Sequence, residues 1–251
     1  MKFAFLLAFT VAVAALAQDQ VVRGDEAPAF EIVGGQEAQV GQHRYVAGLK
    51  LSPTGKTECG GSLIAPNVVL TAAHCFNKGL TSVVVGTHFL TGFADGELAT
   101  VTQEIQHPNA NDVGIVILDR NITSIQPVAV SFEFVPADVL TWVRGWGSVK
   151  SGGPKVKQML KEVSVATWNN TRAAAALAVA NLSANKLGAG GVEGEDACQG
   201  DSGGPMTIEG NGAARLVGVV SSGIGCGLLG KPGLYERASA ARAFIEPYLP
   251  K

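Results

Sequence analysis

The chain has 251 residues, a formal net charge of −2, 16 % charged and 47 % hydrophobic residues, and 32 glycines. That charge balance excludes a basic protein built for nucleic acid or for an anionic membrane surface. Abundant glycine and few long amphipathic runs argue against a helical bundle and for short strands joined by many turns.

From the start, Lys2 precedes an apolar run over 3–17 that closes on Ala15-Leu16-Ala17. A basic opening, a short apolar stretch and a small-residue exit mark a secretory signal peptide. The run is too short for a comfortable membrane span. The expectation is a signal over 1–17, a short acidic stretch after it, and a soluble, secreted, extracellular product. About 220 residues then remain, enough for one large domain or two small ones. Apolar runs at 68–71, 82–85, 113–118, 139–143 and 216–221 read as short buried strands. The Ala-rich stretch 172–187 reads as helical in part, and 239–248 as a terminal amphipathic helix. There is no internal repeat and no low-complexity linker, and the pattern points to a barrel or a sandwich.

All four cysteines, Cys59, Cys75, Cys198 and Cys226, follow the signal. In an oxidising compartment such cysteines form disulfides, and none has the C-x-x-C spacing of a zinc or redox site. Four cysteines allow three pairings. Local closure, Cys59–Cys75 and Cys198–Cys226, is preferred because each bridge would brace a segment that carries chemistry.

That chemistry centres on Glu195-Asp196-Ala197-Cys198-Gln199-Gly200-Asp201-Ser202-Gly203-Gly204-Pro205. A serine hydroxyl needs a base to act as a nucleophile and N–H donors for the oxyanion it creates. A Gly-rich turn between strands would read much the same on its own. His74, in Thr71-Ala72-Ala73-His74-Cys75, stands at a strand end beside a half-cystine, and imidazole suits proton transfer near neutral pH. His43, His88 and His107 lack this setting and read as surface or turn residues. Asp112 stands at the head of an apolar run and supplies a carboxylate that could orient the imidazole.

These motifs, together with Ile32-Val33-Gly34-Gly35, Cys59-Gly60-Gly61-Ser62-Leu63 and Gly145-Trp146-Gly147, occur in one order. The order resembles that of trypsin-like serine proteases of the chymotrypsin family, from Ile32 to the C-terminus. The resemblance implies an all-β fold of two perpendicular six-stranded antiparallel barrels, about 32–133 and 134–251, with a C-terminal helix and the active site between them. It implies His74 as general base, Asp112 as its orienting acid and Ser202 as nucleophile. The N–H groups of Gly200 and Ser202 would form the oxyanion hole. Asp196, six residues before Ser202, would floor a pocket walled by Ser221, Gly223 and Gly233 and select Arg or Lys. Residues 18–31 would be a propeptide, and cutting before Ile32 would free an amino group to pair with Asp201. No metal or organic cofactor is implied. The partners implied are protein or peptide substrates with Arg or Lys at the cleaved bond, and protein inhibitors, for a monomer that binds neither nucleic acid nor membrane.

The chain departs from this pattern in three places. Ser222 stands where the family carries an aromatic platform, Trp168 and Leu187 stand where it carries a third disulfide, and Thr87 replaces a carboxylate of calcium-binding relatives, so no calcium site is expected. Asn121, Asn169 and Asn181 head glycosylation sequons, and Asn169 is favoured. A competing reading comes from Gly86-Thr87-His88-Phe89-Leu90-Thr91-Gly92 with Asp95-Gly96-Glu97. This stretch resembles the oomycete glucanase inhibitors, binding proteins that keep the fold and have lost triad residues. A serine esterase of the α/β-hydrolase type does not fit, because its order is Ser, acid, His and this chain runs His, Asp, Ser.

Overall fold

The computed structural model describes residues 33–109, 111–148, 152–153 and 159–250. The signal peptide, the 18–31 segment and Ile32 lie outside the described residues. In chain order the first strands are β1 (Gln36–Glu37), β2 (Val46–Lys50), β3 (Thr57–Ala65), β4 (Val68–Thr71), β5 (Ser82–Val85), β6 (Glu97–Gln106) and β7 (Gly114–Leu118). The later strands are β8 (Ala129–Val130), β9 (Leu140–Gly145), β10 (Lys161–Trp168), β11 (Lys186–Gly190), β12 (Pro205–Gly210), β13 (Ala213–Ser222) and β14 (Pro232–Arg237).

The β-branched runs of β4, β5 and β7 suit strands buried on both faces. They close with β2, β3 and β6 into a barrel in the order β2-β3-β4-β7-β6-β5. Leu49, Leu63, Val69, Leu70, Val83 and Ile115 fill its interior with no exposed surface, each contributing about 1.5–3 kcal/mol of burial. A second antiparallel ring runs β10-β11-β14-β13-β12-β9 and is closed by the β9–β10 pairing. Its core holds Val143, Val163, Leu187, Met206 and Tyr235. Strand β1 adds to β10, and β8 adds to β13 in parallel. The fold is therefore two closed six-stranded antiparallel barrels.

Helix α1 (Asn170–Leu177) is shorter than the sequence suggests. Asn169 caps its start by accepting the Arg172 N–H at 2.8 Å, and Ala178 ends it in the left-handed region at φ 57°. Lys186 and Leu187, at the end of the expected helical stretch, belong to β11 instead. The C-terminal segment winds as a 3₁₀ turn (Ala238–Ala241), a four-residue helix α2 (Arg242–Ile245) and a second 3₁₀ turn (Glu246–Tyr248).

Two histidines correct the sequence reading. His43 and His88 are buried, because each packs a ring against a carboxylate distant in sequence. His43 Nε2 lies 3.4 Å from Glu162 and His88 Nε2 lies 2.9 Å from Glu37. His107 is half-buried beside Phe244. Where a third disulfide might have been, Trp168 lies opposite Gly188 and donates its indole N–H to the Gly190 carbonyl at 2.9 Å. Leu187, expected at the other half of that bridge, instead pairs with Tyr235 of β14 and is buried in the second barrel's core, so the residue facing Trp168 is Gly188. The loop carrying Thr87 closes around a side chain of the protein itself. The buried Lys50 ammonium donates to the carbonyls of Gly55, Leu90 and Gly92, while Asp95 accepts the Thr87 hydroxyl and the His88 N–H. Among the described residues no helix is long and apolar enough to cross a membrane.

Candidate active site

The two barrels touch through glycine backbone. A Cβ on Gly60 would lie 2.8 Å from the Gly204 Cα, and one on Gly203, at φ 81°, would lie 2.5 Å from the Gly60 carbonyl. This contact brings the turn before β12, with Ser202, against the 3₁₀ turn after β4, with His74. Both disulfides form as local closures. Cys59–Cys75 ties β3 to the His74 turn, and Cys198–Cys226 ties the Ser202 loop to the pocket wall.

Asp112, at the head of β7, holds His74 twice. Its Oδ2 pairs with His74 Nδ1 at 2.8 Å, and its Oδ1 accepts the His74 backbone N–H at 2.9 Å. Ser221 Oγ donates a third hydrogen bond to Oδ2 at 2.7 Å. Burial alone would raise the Asp112 carboxyl, but these hydrogen bonds from His74 and Ser221 hold it below the usual carboxylate range. The Nδ1 side of the ring is thus fixed, which leaves Nε2 to accept a proton. Ser202 is half-exposed in the same cleft, and no hydrogen bond joins its hydroxyl to His74 among the described residues. Such bonds are often long in a site without substrate. Gly200 takes φ 105°, a conformation open to glycine. The N–H groups of Gly200 and Ser202 bond to no other described residue, as an anion-binding pair requires.

Below Ser202 lies a cavity of about 230 Å³ lined by Asp196, Ser221, Gly223, Gly233 and Tyr235 among others. Asp196 Oδ2 accepts the Gly227 N–H at 3.1 Å. Its Oδ1 and the Tyr235 hydroxyl are buried and have no partner among the described residues. Desolvation by burial pushes the Asp196 carboxyl up to about 6, against the N–H groups of Gly227 and Ala197. A Cβ at Gly233 would sit 3.0 Å from Oδ1 and cover it. A carboxylate oxygen facing an enclosed space lined by glycines suits a cationic side-chain tip. The Ser221 side chain is turned to Asp112, and Gly223 and Ser222 lie exposed at the rim.

Asp201 is fully buried under Gly145-Trp146-Gly147 and accepts the Gly147 N–H at 2.7 Å and the Cys198 N–H at 2.8 Å. The chain just after Ile32 is docked on the pocket-floor residue, with the Val33 carbonyl accepting the Asp196 N–H at 3.1 Å. Asn121, Asn169 and Asn181 are all exposed. Among the described residues the metal-capable cluster is Cys59, His74 and Cys75, and its two sulfurs are bonded to each other.

Sequence reasoning missed a layer behind Asp112. Glu236 Oε1 accepts the Asp112 backbone N–H at 3.1 Å and lies 2.5 Å from Lys186 Nζ, while Oε2 accepts from Asn185 at 2.9 Å. The one sequence signal is the charged pair Glu236-Arg237 closing the apolar start of β14.

Comparison with known proteins agrees with this architecture. The trypsin family model matches residues 32–245. The chain is similar to glucanase inhibitor protein 2 of Phytophthora sojae, 32 % identical over 98 % of this chain and 87 % of the relative. It is 35 % identical to glucanase inhibitor protein 2 of Phytophthora infestans over 85 % of this chain and 87 % of the relative. Glucanase inhibitor protein 1 of the same species is 33 % identical over 94 % of this chain and 95 % of the relative. With the match running through both barrels and the cleft between them, the chain belongs to the trypsin family.

Proposed function

We propose that this chain is a secreted protein-binding member of the trypsin family whose partner is a glucanase, as the names of its relatives indicate for them. The observation that carries this reading is the run of glucanase inhibitors aligned along 85–98 % of the chain. One feature of the cleft agrees with it: Ser222 offers no apolar platform beside the pocket. Adding the protein to a glucanase and following glucan hydrolysis tests the reading directly.

A second reading is favoured by a specific observation, the intact His74–Asp112–Ser221 arrangement facing Ser202 above an acid-floored pocket. In this reading the protein is a serine endopeptidase cutting after Arg or Lys. His74 Nε2 takes the Ser202 proton as Oγ attacks the carbonyl, and the N–H groups of Gly200 and Ser202 hold the oxyanion. His74 then gives its proton to the leaving amine, and water repeats the sequence on the acyl-enzyme. Asp196 pairs with the substrate cation. Processing before Ile32, with the new amino group pairing to Asp201, and glycosylation at Asn121, Asn169 or Asn181 belong to the same proposal. Cleavage of an Arg-ended chromogenic peptide that is lost in Ser202→Ala separates this reading from the first.

A further inference from the structure

Lys186 on β11 and Glu236 on β14 face each other as a cross-strand pair. Glu236 is 1 % exposed, and both its oxygens are engaged by Lys186, Asn185 and the Asp112 N–H. Lys186 Nζ also lies 3.0 Å from Ser221 Oγ. An ammonium has protons to give and no lone pair to accept with. Ser221 Oγ must therefore accept from Lys186, and its single proton must point elsewhere. The acceptor within reach is Asp112 Oδ2, at 2.7 Å. The result is a directed chain, Lys186 to Ser221 to Asp112, ending at the carboxylate that pairs with His74 Nδ1.

We propose that Lys186, held against Glu236, is a positioning residue for His74. Its ammonium locks the Ser221 hydroxyl as a donor to Asp112 and so fixes the carboxylate that orients the imidazole. The proposal rests on the peptidase reading, in which His74 accepts the Ser202 proton. The pair also places two opposite charges, a half-buried ammonium and a buried carboxylate, behind the residue that holds the imidazole, where each acts on it more strongly than through bulk water. Other charged and titratable groups face this region. Arg237 on β14 donates to the Lys186 carbonyl, His107 lies 3.5 Å from Asn111 next to Asp112, Lys78 on the His74 turn points away to the Glu58 carbonyl, and Asp196 and Asp201 lie beyond Ser202. None of these touches the Lys186–Ser221–Asp112 chain through a side chain.

The test uses Glu236→Gln, Lys186→Met and Lys186→Arg in the full chain. Glutamine keeps an acceptor for the Asp112 N–H and leaves the Lys186 charge unbalanced. Two readouts are followed against pH: the low-field NMR proton of the Asp112–His74 hydrogen bond, and kcat/KM on an Arg-ended chromogenic peptide. In Glu236→Gln both acid midpoints are expected to fall by about one pH unit. In Lys186→Met they are expected to rise, with kcat lowered at least tenfold and KM little changed. Lys186→Arg, also a pure donor, is expected to restore most of the loss. Wild-type NMR midpoints in both Glu236→Gln and Lys186→Met overturn the proposal, whether or not peptide is cleaved. Shifted NMR midpoints in a protein that cleaves no peptide uphold the positioning role and refute the peptidase reading alone.

Discussion

The backbone N–H of Gly60 donates to the carbonyl of Ser202 at 2.8 Å, so the first barrel holds the backbone of the residue that the second barrel presents to His74. The contact exists because neither Gly60 nor Gly204 carries a side chain. In Gly60→Ala the new Cβ would meet Gly204 Cα at 2.8 Å and N at 2.9 Å. Both are backbone atoms that yield only if the barrels part. Overpacking of this kind should cost about 2 kcal/mol and lower the Tm by about 5 °C. A thermal melt checks it, and an unchanged Tm would mean that the barrels do not meet here.

Asp196 gives a pH dependence with a definite sign. Its folded carboxyl titrates near 6 because of burial, against about 3.9 unfolded. The folded chain therefore binds this proton more tightly, and stability from this group falls as pH climbs from about 4 through 6. Asp196→Asn should stabilise the unliganded protein at pH 7 by on the order of 3 kcal/mol and change little at pH 4. Benzamidine, an amidinium that can pair with the buried, unpartnered Oδ1 at the pocket floor, should bind the wild type more tightly as pH rises past about 6, and the Asn variant weakly throughout. Calorimetry at pH 5 and pH 8 decides it, since equal affinities would place the carboxylate away from the pocket floor.

Lys50 holds the loop of Thr87 and His88 together from inside. Lys50→Met would leave the carbonyls of Gly55 and Gly92 without their Lys50 donor, which should cost about 2–3 kcal/mol, while Leu90 keeps the Thr57 N–H. Amide exchange over 86–96 should speed up more than exchange in β12 or β13. Uniform acceleration across the protein would show that the loop has no local dependence on Lys50.

His74, Asp112 and Ser202 are legible in the sequence because each is fixed by its neighbours: a half-cystine, an apolar strand, and a run of glycines. The double barrel is expected only through the family resemblance those ordered motifs carry, since the strand pattern by itself leaves barrel or sandwich open. Lys186 and Glu236 are not legible, because they meet only through the β11–β14 register, and the Ala-rich stretch before Lys186 reads as continuing helix. The left-handed turn at Ala178 that ends α1 has no glycine to announce it. His43 and His88 mislead for a similar reason. Their partners, Glu162 and Glu37, lie 119 (162 − 43) and 51 (88 − 37) residues away, and a polar residue looks exposed until its distant partner is known. In the C-terminal segment, Pro247 lies in the closing 3₁₀ turn. There the ring removes an N–H that a longer helix would need.

The most direct measurement adds purified wild type and Ser202→Ala, at rising concentration, to a glucanase and follows the rate of glucan hydrolysis, with an Arg-ended chromogenic peptide assayed in parallel. The account predicts saturable inhibition of the glucanase that is equal for the two proteins, because binding does not need the Ser202 hydroxyl. A glucanase rate untouched by either protein, with peptide cleavage by the wild type alone, would contradict it.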